Sequence, residues 1–304
     1  MKATYDRARA FLYRNARPLD IARFQYHFEG GSREAALTAL AAYQNGDGGF
    51  GHALEADAWN PNSAPIQTWA ATEILREIGA EDAKHPIIQG MLRYLASGAE
   101  FDGRFWYNAP RSNNDFPHAP WWHIENNTAH NGDYNPTAAL AAFILRFAKR
   151  DSDVYALGER VANEALEQLF SGKRENDMHT VLCYIRLWEA AQNEELLAKL
   201  RGLVKSTITP NTAKSGTSGE WGTSYICRPS RFFNSRGSVF YADNKNIADY
   251  EWGYIVKSQL KDGSWNIPWN WAGAYPEEWA VSKNWWKGNG AVLNLLYLRG
   301  MSKI

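Results

Sequence analysis

Three side chains able to carry protons fall close together in Gly51-His52-Ala53-Leu54-Glu55-Ala56-Asp57-Ala58-Trp59-Asn60-Pro61-Asn62. Two carboxylates and an imidazole this near one another shift each other's proton affinity, and burial beside Trp59 would raise a carboxyl group into the range useful for proton donation. General acid and base catalysis is the chemistry expected, with Glu55, Asp57 and His52 as its groups. The same residues have ordinary uses. A histidine packs and bonds a neighbouring carbonyl, and acidic residues cap helices or solvate loops.

Two further clusters carry aromatic and polar groups together. Trp121-Trp122-His123-Ile124-Glu125-Asn126 is followed by His130-Asn131-Gly132-Asp133-Tyr134, and Asp133 joins the catalytic candidates. Trp265, Trp269, Trp271, Tyr275, Glu277, Glu278 and Trp279 form the last cluster. Trp59, Trp121, Trp122, His123, Glu125, Trp265, Trp269, Trp271 and Glu277 are the substrate-binding candidates. Tryptophan faces stack on sugar rings or line an apolar cavity that steadies a carbocation. If the loops meet, they form one cavity mouth. Arg228, Arg231 and Arg236 are candidates to grip an anionic group such as diphosphate.

The elements that must position these loops are announced by a repeat. Gln44-Asn45-Gly46-Asp47-Gly48-Gly49-Phe50 and Gln259-Leu260-Lys261-Asp262-Gly263-Ser264-Trp265 both read Gln, two spacers, Asp-Gly, a small residue and an aromatic. Each follows a helical run, so each is expected to stop one helix and pin the next. In this reading Asp47 and Asp262 are turn residues, and the Gln amide bonds backbone groups at helix ends. Gly103-Arg104-Phe105 and Gly219-Glu220-Trp221 are weaker copies. A further copy near Ser171 to Asn176 would have lost its signature.

The spacing and the Gln-to-aromatic element resemble the prenyltransferase and squalene-oxidase repeat proteins, whose element pairs a Gln with Gly-x-Trp or Gly-x-Phe. The resemblance implies an all-α fold, an α/α toroid of alternating inner and outer helices in about five to six hairpins. Residues 1–304 would form a single domain, with an irregular loop around 207–246. The active sites of that family's enzymes do not carry over. Asp151-Ser152-Asp153-Val154 is an incomplete acid motif in a helix-start context, no Asp-Asp-x-x-Asp run occurs, and Tyr225-Ile226-Cys227 lacks the Asp of a zinc site.

Three functions therefore stay open. One is acid–base chemistry on an isoprenoid-type substrate in an aromatic-lined cavity. Another is a carbohydrate-active enzyme of hydrolase or lyase type, with a cleft of tryptophan and carboxylate. The third is a non-catalytic ligand-binding or scaffold toroid. The partner expected is a small molecule, with no cofactor and no metal.

Composition agrees with a substantial globular body, since 45% of the 304 residues are hydrophobic. Zero net charge removes the electrostatic case for nucleic acid. Cys183 and Cys227 suggest neither a disulfide framework nor a spaced metal motif, which fits a reducing cytoplasm. Residues 1–20 lack an apolar core like that of a secretory signal, and no apolar run is long enough to span a bilayer. Peripheral membrane contact stays compatible with this. Helical periodicity continues over Trp69–Ile78, from Asn135-Pro136 to Phe147, and over Val154–Phe170, Met178–Ala191, Ile247–Leu260 and Pro276–Leu298, with a break at Gly288–Gly290. Residues 207–246, rich in Gly, Ser, Thr and Asn, are expected to hold short strands or a lid-like loop.

Overall fold

Twelve α-helices and no strand occupy the described residues (1–125, 132–211 and 218–304) of the computed structural model of the chain. They are α1 (Lys2–Asn15), α2 (Pro18–Phe28), α3 (Arg33–Ala41), α4 (Pro65–Glu77), α5 (Pro86–Ala96) and α6 (Thr137–Phe147). The rest are α7 (Asp153–Ser171), α8 (Met178–Ala191), α9 (Glu194–Ile208), α10 (Ser218–Thr223), α11 (Lys245–Lys257) and α12 (Pro276–Gly300). The all-α class is thus observed. Asn126, His130 and Asn131 lie outside the described residues.

Local chemistry sets most boundaries. Prolines stand in the first turn of α2, α4, α5 and α12, where a missing N–H costs nothing. Ser32 Oγ accepts from Ala35 N at the start of α3, Ser152 Oγ accepts from Tyr155 N at α7, and Asp177 accepts from His179 N and Thr180 N at α8. Asp151-Ser152-Asp153 is therefore a capping sequence. Two expectations change. α12 runs unbroken through Gly288, because a Cβ there would lie 3.0 Å from that of Ala16, so the glycine serves close packing. Residues 207–246 hold no strand among those described; α9 extends to Ile208, and Trp221 in α10 is buried edge-on against Tyr250.

The N-terminal stretch also folds more fully than its mixed polarity suggests. α1 buries Thr4, Ala8, Phe11 and Leu12, which share one helix face. α2 buries charge as well, with Asp20 accepting from Arg17 Nε at 3.2 Å and Arg23 Nη1 at 2.9 Å. Pairing is what makes those charges tolerable inside.

The chain divides into two compact units, Leu37–Leu197 and Met1–Ala36 with Ala198–Ile304. At the centre of the first, α6 packs against α4, α5, α7 and α8, and α5 also meets α7. Every residue from Thr137 to Ile144 is buried, as expected of a helix covered all round. In the second unit α12 packs against α1, α2 and α11.

The two full repeats make the same lock, one in each unit. Gln44 Nε2 donates to Gly48 O at 2.9 Å and to Ile87 O, at the start of α5, at 3.0 Å. Gln259 Nε2 donates to Gly263 O and to Thr4 O, at the start of α1, both at 2.9 Å. Asp47 Oδ1 accepts from Gly49 N, and Asp262 Oδ1 from Ser264 N, each at 2.9 Å. The amide thus takes a first-turn carbonyl of another helix rather than an unpaired group. Four residues on, the glycine lies against the same helix. A Cβ at Gly48 would fall 2.0 Å from Gly90 O, and one at Gly263 2.2 Å from Arg7 O.

The weaker copies diverge. Asp102 Oδ1 accepts from the Arg104 and Phe105 amides, and Arg160 Nη1 donates to Gly103 O at 2.8 Å where the other copies use glutamine. Phe50 N donates to Thr68 Oγ1 in α4 at 3.1 Å, and its counterpart is Trp106 N on Thr137 Oγ1 in α6 at 3.0 Å. The anchor of this copy is thus the fully buried Trp106, one residue beyond Phe105. Gly219-Glu220-Trp221 forms no such turn, because it lies inside α10.

One buried carboxyl group supplies a stability test. Glu251 is fully buried in α11, where it accepts from Ser230 N at 2.8 Å and Ser230 Oγ at 2.5 Å, with Arg228 Nε at 3.7 Å. Burial pushes its carboxyl above the usual range, against the opposing pull of Arg228 and Ser230. Between the unfolded and the raised folded value, the folded state holds a proton that the unfolded state has lost. Wild-type stability from this group is therefore full below the unfolded value and is lost as pH rises through the folded one. Glu251→Gln is expected to gain on wild type as pH rises from 4 to 8 in urea melts; a pH-independent difference would refute the assignment.

Candidate functional site

The loop after Phe50 is built on an unusual start. His52 and Ala53 both have positive φ, 57° and 58°, a region that residues with a Cβ enter at a cost. His52 N bonds Asn60 O at 3.0 Å and closes the loop on itself. Gln67, buried in α4, then fastens it from below: its Oε1 accepts from Glu55 N at 2.6 Å, and its Nε2 donates to Ala58 O at 2.9 Å and Glu55 O at 3.3 Å. A single side chain on a rigid helix thus satisfies three backbone groups of the loop.

The Trp121 segment joins from the other side. Ala58 and His118 form an antiparallel bridge, flanked by Trp59 N to Pro117 O at 2.9 Å and Ala119 N to Asp57 O at 2.8 Å. Asn60 Nδ2 donates to Ser112 Oγ at 3.0 Å. Asn113 and Asn114 brace the segment internally, donating to Trp122 O at 2.8 Å and Ile124 O at 2.9 Å. The first cluster and the Trp121–Glu125 part of the second are therefore one construction.

Its chemical groups stand as follows. Glu55 and Asp57 are buried, and Glu55 Oε2 accepts from Asp57 N at 3.0 Å and from the Trp122 indole N–H at 3.2 Å. Trp121 is 47% exposed, Trp59 is half-buried, and His123 and Glu125 are exposed. His118, buried, lies with Nδ1 2.6 Å from Phe116 O and Nε2 3.0 Å from His123 Nδ1. A carbonyl only accepts, so His118 Nδ1 carries the proton. With both rings neutral, His123 Nδ1–H then donates to His118 Nε2, which leaves His123 Nε2 as the basic nitrogen.

Other candidates fall elsewhere. The His52 imidazole is exposed and bonds Asn45 Oδ1 at 2.9 Å, so the expected grouping of His52 with Glu55 and Asp57 is not assembled. The strained backbone turns the ring outward. Asp133 accepts from Asn135 N at 3.1 Å and pairs with Arg174 at 3.4 Å, which suits it to hold the approach to α6.

The tryptophan-rich cluster belongs to the other unit. Trp271 is fully buried against Trp279, and the buried Trp265 donates its indole N–H to Ile255 O at 2.7 Å, so both serve the core. Trp269 keeps a partly exposed ring against Tyr225 and Trp286, and Glu277 is exposed in the first turn of α12, where a carboxylate favours the helix dipole. Arg228 and Arg236 pair with Glu251 and Asp249 rather than standing open for diphosphate.

Gln67 and His118 are the residues that sequence reasoning passed over. A glutamine two positions after Pro65, in the first turns of a helix, is the signal that could have found the first. His118 stands five residues before His123, a spacing with no helical or strand logic, and only the bridge to Ala58 makes it meaningful. Among the described residues no group of three or more His, Cys, Asp or Glu side chains could hold a metal ion, and no helix is long and apolar enough to cross a membrane. No protein-family model, curated protein or solved structure matches the chain.

Proposed function

We propose that the chain is a carbohydrate-active enzyme whose site is the joint of the 52–60 loop with residues 112–125. The observation that carries this reading is the run Trp121-Trp122-His123. Within three residues it offers an exposed indole face, an indole N–H on the buried Glu55 carboxylate and an imidazole oriented by His118. An open tryptophan face suits the apolar side of a sugar ring, and amides, carboxylates and imidazoles suit its hydroxyls.

In glycoside hydrolysis the leaving oxygen takes up a proton while water adds to the anomeric carbon. His123 Nε2 supplies the base, Asp57 the acid, and Glu55 the negative charge that steadies the developing oxocarbenium. The repeat locks at Gln44 and Gln259 support the toroid architecture, as does the packing of α6 between α4 and α8 and against α5 and α7. The same locks keep an isoprenoid substrate as the second reading. That reading calls for apolar surroundings about one acid, whereas Glu55 and its neighbours are bonded by amides and an indole N–H.

A panel of neutral and amino-sugar oligosaccharides, with prenyl diphosphates alongside, tests both readings through tryptophan fluorescence and released reducing ends. Trp121→Ala is expected to weaken oligosaccharide binding about tenfold. His123→Ala is expected to cut turnover by about 10²–10⁴-fold with folding unchanged. Response to prenyl diphosphates alone would reverse the order of the two readings.

A further inference from the structure

A groove between α4, α6 and α8, separate from the loops above, has a charge arrangement that the fold does not use up. It encloses about 50 Å³ and is floored by Ala80, Ala139, Ala142 and Phe143, with Arg76, Arg146, Arg186, Glu73 and Glu189 around it. Ala139 and Ala142 of α6 leave the space, since their side chains end at a methyl group, while Phe143, Arg146 and Phe147 of the same helix wall it. Arg186 is largely buried and grips Glu73 through Nε at 2.7 Å and Nη2 at 2.6 Å. Glu189 is shared by Arg186 and by Arg76, whose Nε lies 2.7 Å away. Both carboxylates of the groove are thus committed to two arginines.

Arg146 is the cation left over. Its partner Glu81 does not line the groove, is 73% exposed and stands 3.0 Å from Nη2. So exposed a pair is weak and readily exchanged. The Arg146 guanidinium also lies 5.4 Å over the Phe147 ring, at the apolar wall. A cationic fork beside a small apolar floor matches a planar carboxylate carried on a short hydrocarbon.

We propose that this groove binds a small aliphatic carboxylate, its oxygens on Arg146 in place of Glu81 and its hydrocarbon over Ala139, Ala142 and Phe147. Glu81 then acts as an internal competitor for the site. A phosphate ester would meet the same guanidinium but would leave the apolar floor unmatched.

Butyrate titrated into the full-length protein, followed by NMR shifts of alanine methyls, reads this directly. Saturation with a dissociation constant of about 1 mM is expected for so small an acid. Arg146→Gln is expected to weaken it about tenfold, and Glu81→Gln to tighten it about threefold by removing the competitor. Both substitutions fall on half-exposed or exposed side chains, so circular dichroism should stay unchanged. Absence of saturation in wild type, equal binding of butanol or butylammonium, or weaker binding in Glu81→Gln would each overturn the proposal; tighter binding of inorganic phosphate than of butyrate would overturn the assigned class.

Discussion

Gly48→Ala is expected to cost the protein about 2–6 kcal/mol of folding stability. The new Cβ would fall 2.0 Å from Gly90 O, a backbone atom in α5 that cannot swing aside as a side chain can. The residue also has φ of +97°, which a side chain strongly disfavours. Backbone strain of this kind costs about 1–3 kcal/mol, and forced overpacking adds about 1–3 kcal/mol or more. Against a typical net stability of about 5–15 kcal/mol, the sum removes much of what holds a domain together. Gly263→Ala should behave alike, with φ of +96° and Arg7 O at 2.2 Å.

Gly103→Ala provides the control. Its φ is +101°, yet a Cβ there meets nothing within 4 Å, so only the strain should be felt. Denaturant melts are expected to rank Gly48→Ala and Gly263→Ala together, well below Gly103→Ala. Equal losses at all three positions would mean that the glycines act through conformation alone and that the docking contacts carry no weight.

Gln67→Leu is expected to disable the candidate site and to cost about 2–5 kcal/mol. Leucine has nearly the same bulk, so little cavity forms, but it leaves the Glu55 N–H and the Ala58 carbonyl buried without their partner. Each orphaned backbone group costs about 1–3 kcal/mol. The loop should then loosen from α4, and Glu55 should leave the Trp122 indole. A shifted, faster-exchanging Trp122 indole resonance in NMR, together with lost oligosaccharide response, is the outcome that supports this role. An unmoved resonance with a wild-type melt would show that the loop holds itself without Gln67.

How far the fold was legible depended on how local its causes are. α8 begins and ends where its periodicity says, and α7 begins within a residue, because Ser152 and Asp177 cap their own helices a few positions away. α1 escaped notice since its exposed face mixes Lys2, Asp6, Arg7, Arg9 and Arg14 with Ala3, Ala10 and Tyr13, and its buried face holds only Thr4, Ala8, Phe11 and Leu12. The break expected at Gly288 vanished for the opposite reason: a contact with Ala16, far away in the chain, decides that glycine. In the candidate site, Glu55, Asp57, Trp122 and His123 were visible as types able to do chemistry. His52 was equally visible and is turned away, which no residue-type argument could foresee.

By itself the amino-acid order determined the bounds and caps of helices such as α7 and α8, the two Gln-x-x-Asp-Gly turns and the exclusion of the motifs carried by the repeat family's enzymes. Those features follow from bonds and backbone preferences spanning a few residues, so neighbouring residue types suffice to predict them. The tertiary structure alone decided which acid meets which aromatic. Trp122 reaches Glu55 across sixty-seven positions, and Gln44 reaches Ile87 across forty-three. Such pairings depend on how α4, α5 and α6 pack and on which polar groups burial forces to find partners, and that balance is struck only once the helices are in contact.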